Sequence, residues 1–231
     1  MCGRFVNEAN TEQLKREFNQ VVEQIDSDLA VPRYNIAPGQ IVAAVRQFEA
    51  ERVVSGLKWG FVPASWSKKA GVSVKGLINA RAESAAEKPS FRNAFKARRC
   101  LIPASAFYEW QKLERGAKQP FYFYLPERPV FAFAGLWETD DDPARGESLD
   151  TCAIITTTAN SVLAPVHDRM PVIVRSENYE QWLDPQEKDG VKLTSLLAPY
   201  PAEEMRSHQV SRIVNNPAVD RAELISELNS L

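Results

Sequence analysis

The sequence predicts one α+β domain with a mostly antiparallel, barrel-like β-sheet and flanking helices. Strand-like segments outnumber helical ones, and they do not alternate with helices as a doubly wound sheet would require. The chain has 231 residues, of which 44% are hydrophobic and 25% charged, a composition typical of a globular domain with a sizeable core. We therefore expect residues 1–231 to form a single domain.

The first predicted element is an amphipathic helix, with Asn10 or Thr11 as its N-cap. Its apolar positions recur at helical spacing and are Leu14, Phe18, Val21, Val22 and Ile25. Segments rich in Val, Ile, Phe and Tyr and bounded by Pro, Gly or Asp predict strands. These strands cover residues 41–48, 52–61, 101–111, 121–125, 130–137, 151–157 and 172–174. Helices are expected at 91–98, 177–183, 193–197 and 220–231, and the acidic stretch 138–150 is expected to form a surface loop.

Several function classes leave no trace in the sequence. There is no apolar run near 18 residues and no apolar leader in MCGRFVNEAN, so we expect a cytoplasmic protein with no membrane contact. Three cysteines without a CxxC pair argue against a disulfide framework or a zinc cluster. The glycine-rich nucleotide motifs and the GxSxG motif are also missing. We expect no metal and no nucleotide cofactor.

The charge is unevenly distributed along the chain. Residues 58–118 carry 13 Lys/Arg and 4 Asp/Glu, a net of +9, whereas the remainder carries 15 and 26, a net of −11. Aromatic residues interleave the basic stretch: Trp59, Phe61, Trp66, Phe91, Phe95, Phe107, Tyr108 and Trp110. Basic residues bind phosphates and aromatic faces stack on unpaired bases, which indicates single-stranded nucleic acid. The alternative is that these aromatics belong to the core.

Cys2 is a candidate nucleophile because removal of the initiator Met would leave it with a free α-amine beside its thiol. Typical pKa values are about 8 for the amine and about 8.5 for the thiol, so both have reactive fractions near neutral pH. An aldehyde condenses with such an amine to an imine, and the thiol then closes a five-membered thiazolidine. An abasic deoxyribose is a masked aldehyde. The alternative is an incidental cysteine after Met1.

Glu109 lies among aromatic residues in AFYEWQK, where an apolar setting would raise its pKa for acid–base work; alternatively it lies on the solvated face of a strand. His167 could shuttle protons, or be a hydrogen-bonded structural residue, as we expect of His208. Asn79 could orient a reacting group and Arg81 could bind a phosphate. The alternative for this pair is a strand end and a surface charge.

Taken in order, six segments resemble the SOS-response-associated peptidase (SRAP) family, also called abasic-site-processing proteins. They are MCGRF at 1–5, RYNIAPGQ at 33–40, WGFVP at 59–63, INARAES at 78–84, RRCLIPASAFYEW at 98–110 and PVHDRMPVIV at 165–174. Two departures stand out: the loop before Trp66 is one residue longer than is common in the family, and Ala106 replaces an expected glycine.

The resemblance implies a role for each matching position. Cys2 would be the crosslinking residue, Asn79 would position its amine and the sugar, and Glu109 and His167 would move protons during ring opening and adduct release. Arg4 and Arg81 would bind the flanking phosphates and Trp66 would contact the DNA. The resemblance further implies a protein that binds abasic sites in single-stranded DNA, with lyase capacity and N-terminal self-processing. We expect it to be a monomer.

Two other functions remain open on the sequence. The same Cys2, Glu109 and His167 could serve a cysteine peptidase that acts on other proteins. Alternatively, the basic, aromatic stretch alone could make a non-catalytic reader of damaged or modified DNA.

Overall fold

The computed structural model describes residues 2–18, 27–49, 51–64, 66, 75–141 and 148–228. Its strands are β1 Phe5–Asn7, β2 Arg33–Ile36, β3 Ile41–Phe48, β4 Glu51–Trp59, β5 Asn79–Arg81, β6 Arg99–Ala104, β7 Ala106–Lys112, β8 Lys118–Tyr124, β9 Phe131–Asp141, β10 Ser148–Thr158, β11 Arg169–Pro171, β12 Ile173–Val174 and β13 Arg206–Gln209. Its α-helices are α1 Thr11–Glu17, α2 Ala82–Ala85, α3 Arg92–Ala97, α4 Tyr179–Leu183 and α5 Gly190–Ser195. Short 3₁₀ turns occupy Ser27–Leu29, Glu114–Gly116, Ser176–Asn178, Ala202–Glu204, Arg212–Asn215 and Ala222–Ile225.

A closed five-stranded barrel confirms the predicted architecture. Its strands pair in the order β10–β4–β3–β6–β9 and back to β10. The β4–β10 pair is parallel and the other barrel pairs are antiparallel. Closure leaves these strands no free edge. β5 adds to β10 in parallel, while β11 and β12 add antiparallel strands at β10 and β9.

A second sheet, in the order β13–β8–β7–β1–β2, packs against the barrel through aromatic rings. Phe5 of β1 and Phe107 of β7 meet Phe133 of β9 edge-on, with ring centroids 5.6 Å and 6.1 Å away. These three side chains are almost fully buried, and each such pair adds about 0.5–1.5 kcal/mol beyond its area burial. This contact packs β1, and with it the N-terminal segment of the chain, against the barrel.

The single strand predicted at 101–111 is wrong, because the chain changes sheets at Ser105. β6 belongs to the barrel and β7 to the second sheet. Ser105 donates its N–H to Val6 O at 2.7 Å, and its hydroxyl accepts from the Glu8 N–H at 3.0 Å. β6 is buried at every position and β7 at its first four, so the buried run continues across the break.

The surface loop predicted at 138–150 is also wrong for its described residues. β9 extends to Asp141 and pairs with β10 from Ser148 onward as a hairpin, while the centre, 142–147, lies outside the described residues. The acidic charge is compatible with strands because ion pairs compensate it. Glu138 binds Arg98 and Asp150 binds Arg46, each at 2.6 Å.

The helix predicted at 220–231 is wrong: residues 222–225 form only a 3₁₀ turn, and residues 229–231 lie outside the described part. A bridge between Val210 and Glu227 and the bond from Leu228 N–H to Gln209 O pull the chain into an extended form.

Other predicted helices shift rather than vanish. The helix expected at 193–197 occupies α5, and the one expected at 177–183 begins as a 3₁₀ turn before α4. Asn10 is confirmed as the N-cap of α1, where it forms a capping box with Gln13. The expected continuation through Val21, Val22 and Ile25 falls outside the described residues.

No helix in the described ranges is long and apolar enough to span a membrane.

Candidate active site

Cys2 lies beside β7, in the apolar layer between the second sheet and the barrel. Phe5 pairs with Phe107, and the Tyr108 N–H donates to Arg4 O at 3.0 Å. Continued toward the N-terminus, this register places Gly3 opposite Glu109. Cys2 is 0% exposed and belongs to the apolar cluster that also contains Trp59, Cys152 and Ile154.

The Cys2 thiol and the Glu109 carboxyl influence each other electrostatically. Burial raises the pKa of the Cys2 thiol, the charge of Glu109 raises it further, and a hydrogen bond from the Arg4 backbone N–H lowers it. Burial likewise raises the pKa of Glu109, which is 3% exposed, while nearby His167 lowers it. The thiol is therefore neutral near pH 7, and Glu109 holds a proton to higher pH than an exposed carboxyl does.

His167 reaches the site from the connection between β10 and β11. The Gln111 side chain on β7 donates to Pro165 O at 3.1 Å and ties this connection to the strand that carries Glu109. The Arg169 N–H donates to His167 Nδ1 at 3.0 Å. Because an accepting ring nitrogen carries no proton, this bond assigns the proton of the neutral ring to Nε2.

Asn79 begins β5, beside Ile154 of β10. Its Nδ2 donates to Ile154 O at 3.4 Å, and Ile154 belongs to the same apolar cluster as Cys2. Asn79 Oδ1 is buried and has no hydrogen-bond partner among the described residues. Buried acceptors are usually satisfied, so this oxygen is available to a donor such as an amine or a sugar hydroxyl.

The three residues predicted to bind DNA have different surroundings. Arg4 is engaged within the fold, since its Nη1 donates to Asn35 Oδ1 and to Val214 O, each at 2.7 Å. Arg81 is exposed at the end of β5 and has no side-chain hydrogen bond to a described residue. Trp66 is half-buried and follows a turn closed by its N–H on Pro63 O at 3.0 Å.

A surface pocket that shares Arg4 with the surroundings of Cys2 combines cations with an aromatic ring. It is lined by Arg4, Trp110, Lys118 and Asn215. The Arg4 guanidinium lies 5.7 Å from the centre of the Trp110 ring, and the Trp110 indole donates to Asn215 Oδ1 at 2.7 Å. Such a pocket suits a nucleotide, because the ring offers a stacking face and the cations attract phosphate.

Sequence reasoning gave no role to Asn35, Glu83 and Arg169, although the segments RYNIAPGQ, INARAES and PVHDRMPVIV contain them. Asn35 is 1% exposed and binds Arg4 together with three backbone carbonyls of the C-terminal segment. Arg169 and Glu83 form an ion pair of 2.6 Å beside His167. In the sequence, none of these three residues has a neighbour that would indicate its partner. Their roles become visible only through the contacts made in the folded protein.

The chain is similar to a known protein family, to curated proteins of that kind and to a solved structure. A family model described as SOS response associated peptidase (SRAP) matches residues 1–217. The Abasic site processing protein YoqW of Bacillus subtilis is 42% identical over 231 residues, covering 97% of this chain and 99% of YoqW. The Abasic site processing protein YedK of Escherichia coli is 31% identical over 233 residues, covering 97% and 99%. A crystal structure of a Bacteroides thetaiotaomicron protein has a TM-score of 0.84 at 24% identity, covers 98% of this chain and 100% of that one, and supports the fold.

Proposed function

The chain belongs to the SOS response associated peptidase (SRAP) family, and from that membership we propose that it processes abasic sites in single-stranded DNA by forming a covalent link through Cys2. One observation carries the proposal most directly. The strand register brings the N-terminal segment alongside Glu109, and Glu109 interacts electrostatically both with Cys2 and with His167, although the three are far apart in sequence. The link requires that Met1 be removed, so that the Cys2 amine is free.

The chemistry balances without a cofactor. The Cys2 amine attacks C1′ of the ring-opened sugar, and the carbinolamine expels one water to give an imine. The thiol sulfur then adds to the same carbon, and its proton ends on the nitrogen of the resulting thiazolidine. Glu109, whose pKa burial raises, donates the proton that the leaving water needs. His167, with its proton on Nε2, assists opening of the sugar ring.

The residues around Cys2 offer the kinds of contact that a single strand of DNA would need. Asn79 Oδ1, which is buried and has no hydrogen-bond partner among the described residues, would accept a hydrogen bond from the amine or the sugar. Exposed Arg81 and the pocket of Arg4, Trp110 and Lys118 offer contacts for the phosphates and bases beside the lesion. The imine also acidifies the C2′ protons and so gives the site a capacity for strand cleavage by elimination. Closure to the thiazolidine removes the imine and shields the strand.

The burial of Cys2 argues against a general cysteine peptidase. Attack on an amide needs a thiolate, whereas burial of Cys2 raises the pKa of its thiol. Thiazolidine closure needs only a neutral thiol beside an imine. An aldehyde is therefore the better substrate for this site.

Intact mass spectrometry tests the proposal. The purified protein, with Met1 removal verified, is mixed with a single-stranded oligonucleotide that carries one abasic site. We expect a species at the summed mass minus one water, traced by peptide mapping to Cys2. The Cys2→Ala variant should lose this species while still binding the oligonucleotide.

Cys100→Ala is the matched control, because Cys100 is also fully buried in the same apolar cluster but lies on barrel strand β6. It should form the adduct as wild type does. Absence of an adduct from Met1-free wild type that still binds DNA would contradict the proposal and favour a non-covalent reader.

A further inference from the structure

His167 lies two residues before β11, so its orientation depends on how the start of this strand is held. A strand of three residues has few backbone bonds, and its ends open readily. The Arg169 side chain adds bonds at this point. Its Nη2 donates to Thr156 O on β10 at 2.5 Å. Its two terminal nitrogens bind both oxygens of Glu83, at 2.6 Å and 2.9 Å.

This bidentate pair joins α2 to the start of β11. Two parallel charge-assisted bonds fix the plane of the guanidinium as well as its distance, which one contact would not do. The hydrogen bonds from Arg169 hold the pKa of Glu83 below its usual range. The pair therefore stays ionised through neutral pH and is lost only as pH falls through that lowered value.

The backbone of Arg169 also decides the proton position on His167. Its N–H lies 3.0 Å from Nδ1 and requires that nitrogen to be an acceptor. Asp168 Oδ1 also lies 3.0 Å from Nδ1 and would favour a proton there. The Asp168 side chain is 87% exposed and can turn into water, whereas the Arg169 N–H is held in place by the pairing of β11 with β10 together with the bonds of the Arg169 side chain. The backbone donor therefore prevails for the neutral ring.

We propose that Glu83 and Arg169 are positioning residues for His167. Their ion pair holds the Arg169 N–H against Nδ1 and so keeps a proton on Nε2 for transfer at the abasic site. The chemical consequence rests on the proposed function, but the proton position on the ring can be measured without DNA.

Nitrogen-15 NMR of the histidine rings provides that measurement. The chain has two histidines, and His208 is an internal reference because its Nε2 lies 2.9 Å from Ile225 O, which can only accept. We expect wild-type His167 to carry its proton on Nε2, and Glu83→Ala to give a mixture of both ring forms. Glu83→Gln, which still accepts one hydrogen bond, should fall between them.

Glu138→Ala is the matched control, since it removes the 2.6 Å ion pair with Arg98 elsewhere in the fold. This variant should keep the wild-type His167 spectrum, and Asp168→Asn should keep it as well. Identical His167 spectra in wild type and Glu83→Ala, or a proton on Nδ1 in wild type, would overturn the proposal.

The rate of adduct formation gives the second readout. We expect Glu83→Ala to slow it by about tenfold, less than the roughly 10²-fold loss expected for His167→Ala, with unchanged affinity for undamaged DNA. Tighter DNA binding by Glu83→Ala at a wild-type rate would instead show that Glu83 screens Arg169 from phosphate, and would overturn the positioning role. A wild-type protein that forms no adduct would contradict only the proposed function. The NMR spectra would still show which nitrogen of His167 carries the proton, and so would still test the positioning role.

Discussion

Burial of the Glu109 carboxyl has two opposite consequences: it suits the group to donate a proton, and it lowers the stability of the folded protein as the pH rises. Burial raises its pKa above the ordinary value of 4.5, so the folded protein binds this proton more tightly than the unfolded chain does. Stability from this group is full at low pH and falls as pH rises from about 4.5 through the folded pKa. We expect Glu109→Gln to gain stability relative to wild type across that window. Melting curves from pH 4 to 8 measure it, and about 2–4 °C in Tm corresponds to about 1 kcal/mol at this chain length.

The same substitution should slow adduct formation by about 10²-fold or more, because an amide cannot supply the proton. Glu8→Gln is the control, since burial also raises the pKa of Glu8, which a hydrogen bond joins to Tyr34 rather than to the site. It should change the pH dependence of Tm in the same direction and leave the rate unchanged. A wild-type rate in Glu109→Gln would remove Glu109 from the proposed mechanism.

The candidate site could be predicted residue by residue only where a side chain has chemistry of its own. The sequence singled out Cys2, Glu109 and His167 because a thiol, a carboxyl and an imidazole are reactive types. It left open whether Glu109 was solvated, and the fold answers this with a side chain 3% exposed. Glu83 could not be recognised, because its contact with Arg169 crosses 86 residues.

At the scale of elements, one asparagine holds the C-terminal segment against β2. Asn35 Nδ2 donates to Val214 O, Asn216 O and Val219 O at 3.3, 3.0 and 2.6 Å, and its Oδ1 accepts from Arg4. Replacing Asn35 with Ala leaves the three carbonyl oxygens and the Arg4 guanidinium without these hydrogen bonds in the protein interior. We expect Asn35→Ala to lower the free energy of unfolding by about 2–3 kcal/mol, measured by chemical denaturation.

Hydrogen exchange should show the loss of protection in Asn35→Ala concentrated at residues 212–225. Asn215→Ala is the control, because it removes one bond, from the Trp110 indole, at an exposed position. Its cost should be about 0.5–1 kcal/mol. Equal costs for the two variants would show that the amide of Asn35 does not anchor this segment.

Elements could be predicted where a local pattern decides them and not where distant partners do. The Asn10 cap and the strand at Ile41–Phe48 follow from spacing and residue type, and both are as expected. The acidic β9–β10 hairpin was expected to be a loop because Arg46 and Arg98, which pair with its charges, lie 104 and 40 residues away. The break at Ser105 is hidden for a similar reason, since both flanking strands are buried by elements far along the chain.

For the whole molecule, residues 58–118 carry a net charge of +9 and the remainder −11, and this distribution affects how many cations are available to bind DNA phosphates. Part of this basic charge serves the fold, as in Arg98 with Glu138 and Arg99, which donates to Trp182 O and Phe95 O. Net charge along the sequence therefore overstates the number of cations that remain for phosphate. The salt dependence of binding measures that number directly.

Binding of undamaged single-stranded DNA should weaken with salt with a slope of about −0.7 per phosphate contacted, measured in the Cys2→Ala background to exclude the adduct. We expect Arg81→Ala to reduce this slope by about 0.7, because Arg81 is exposed and has no side-chain hydrogen bond to a described residue. Lys192→Ala removes the same charge from exposed α5, outside the basic stretch, and should leave the slope unchanged. If both variants changed the slope equally, the net charge of the molecule would govern binding, and Arg81 would have no specific phosphate contact.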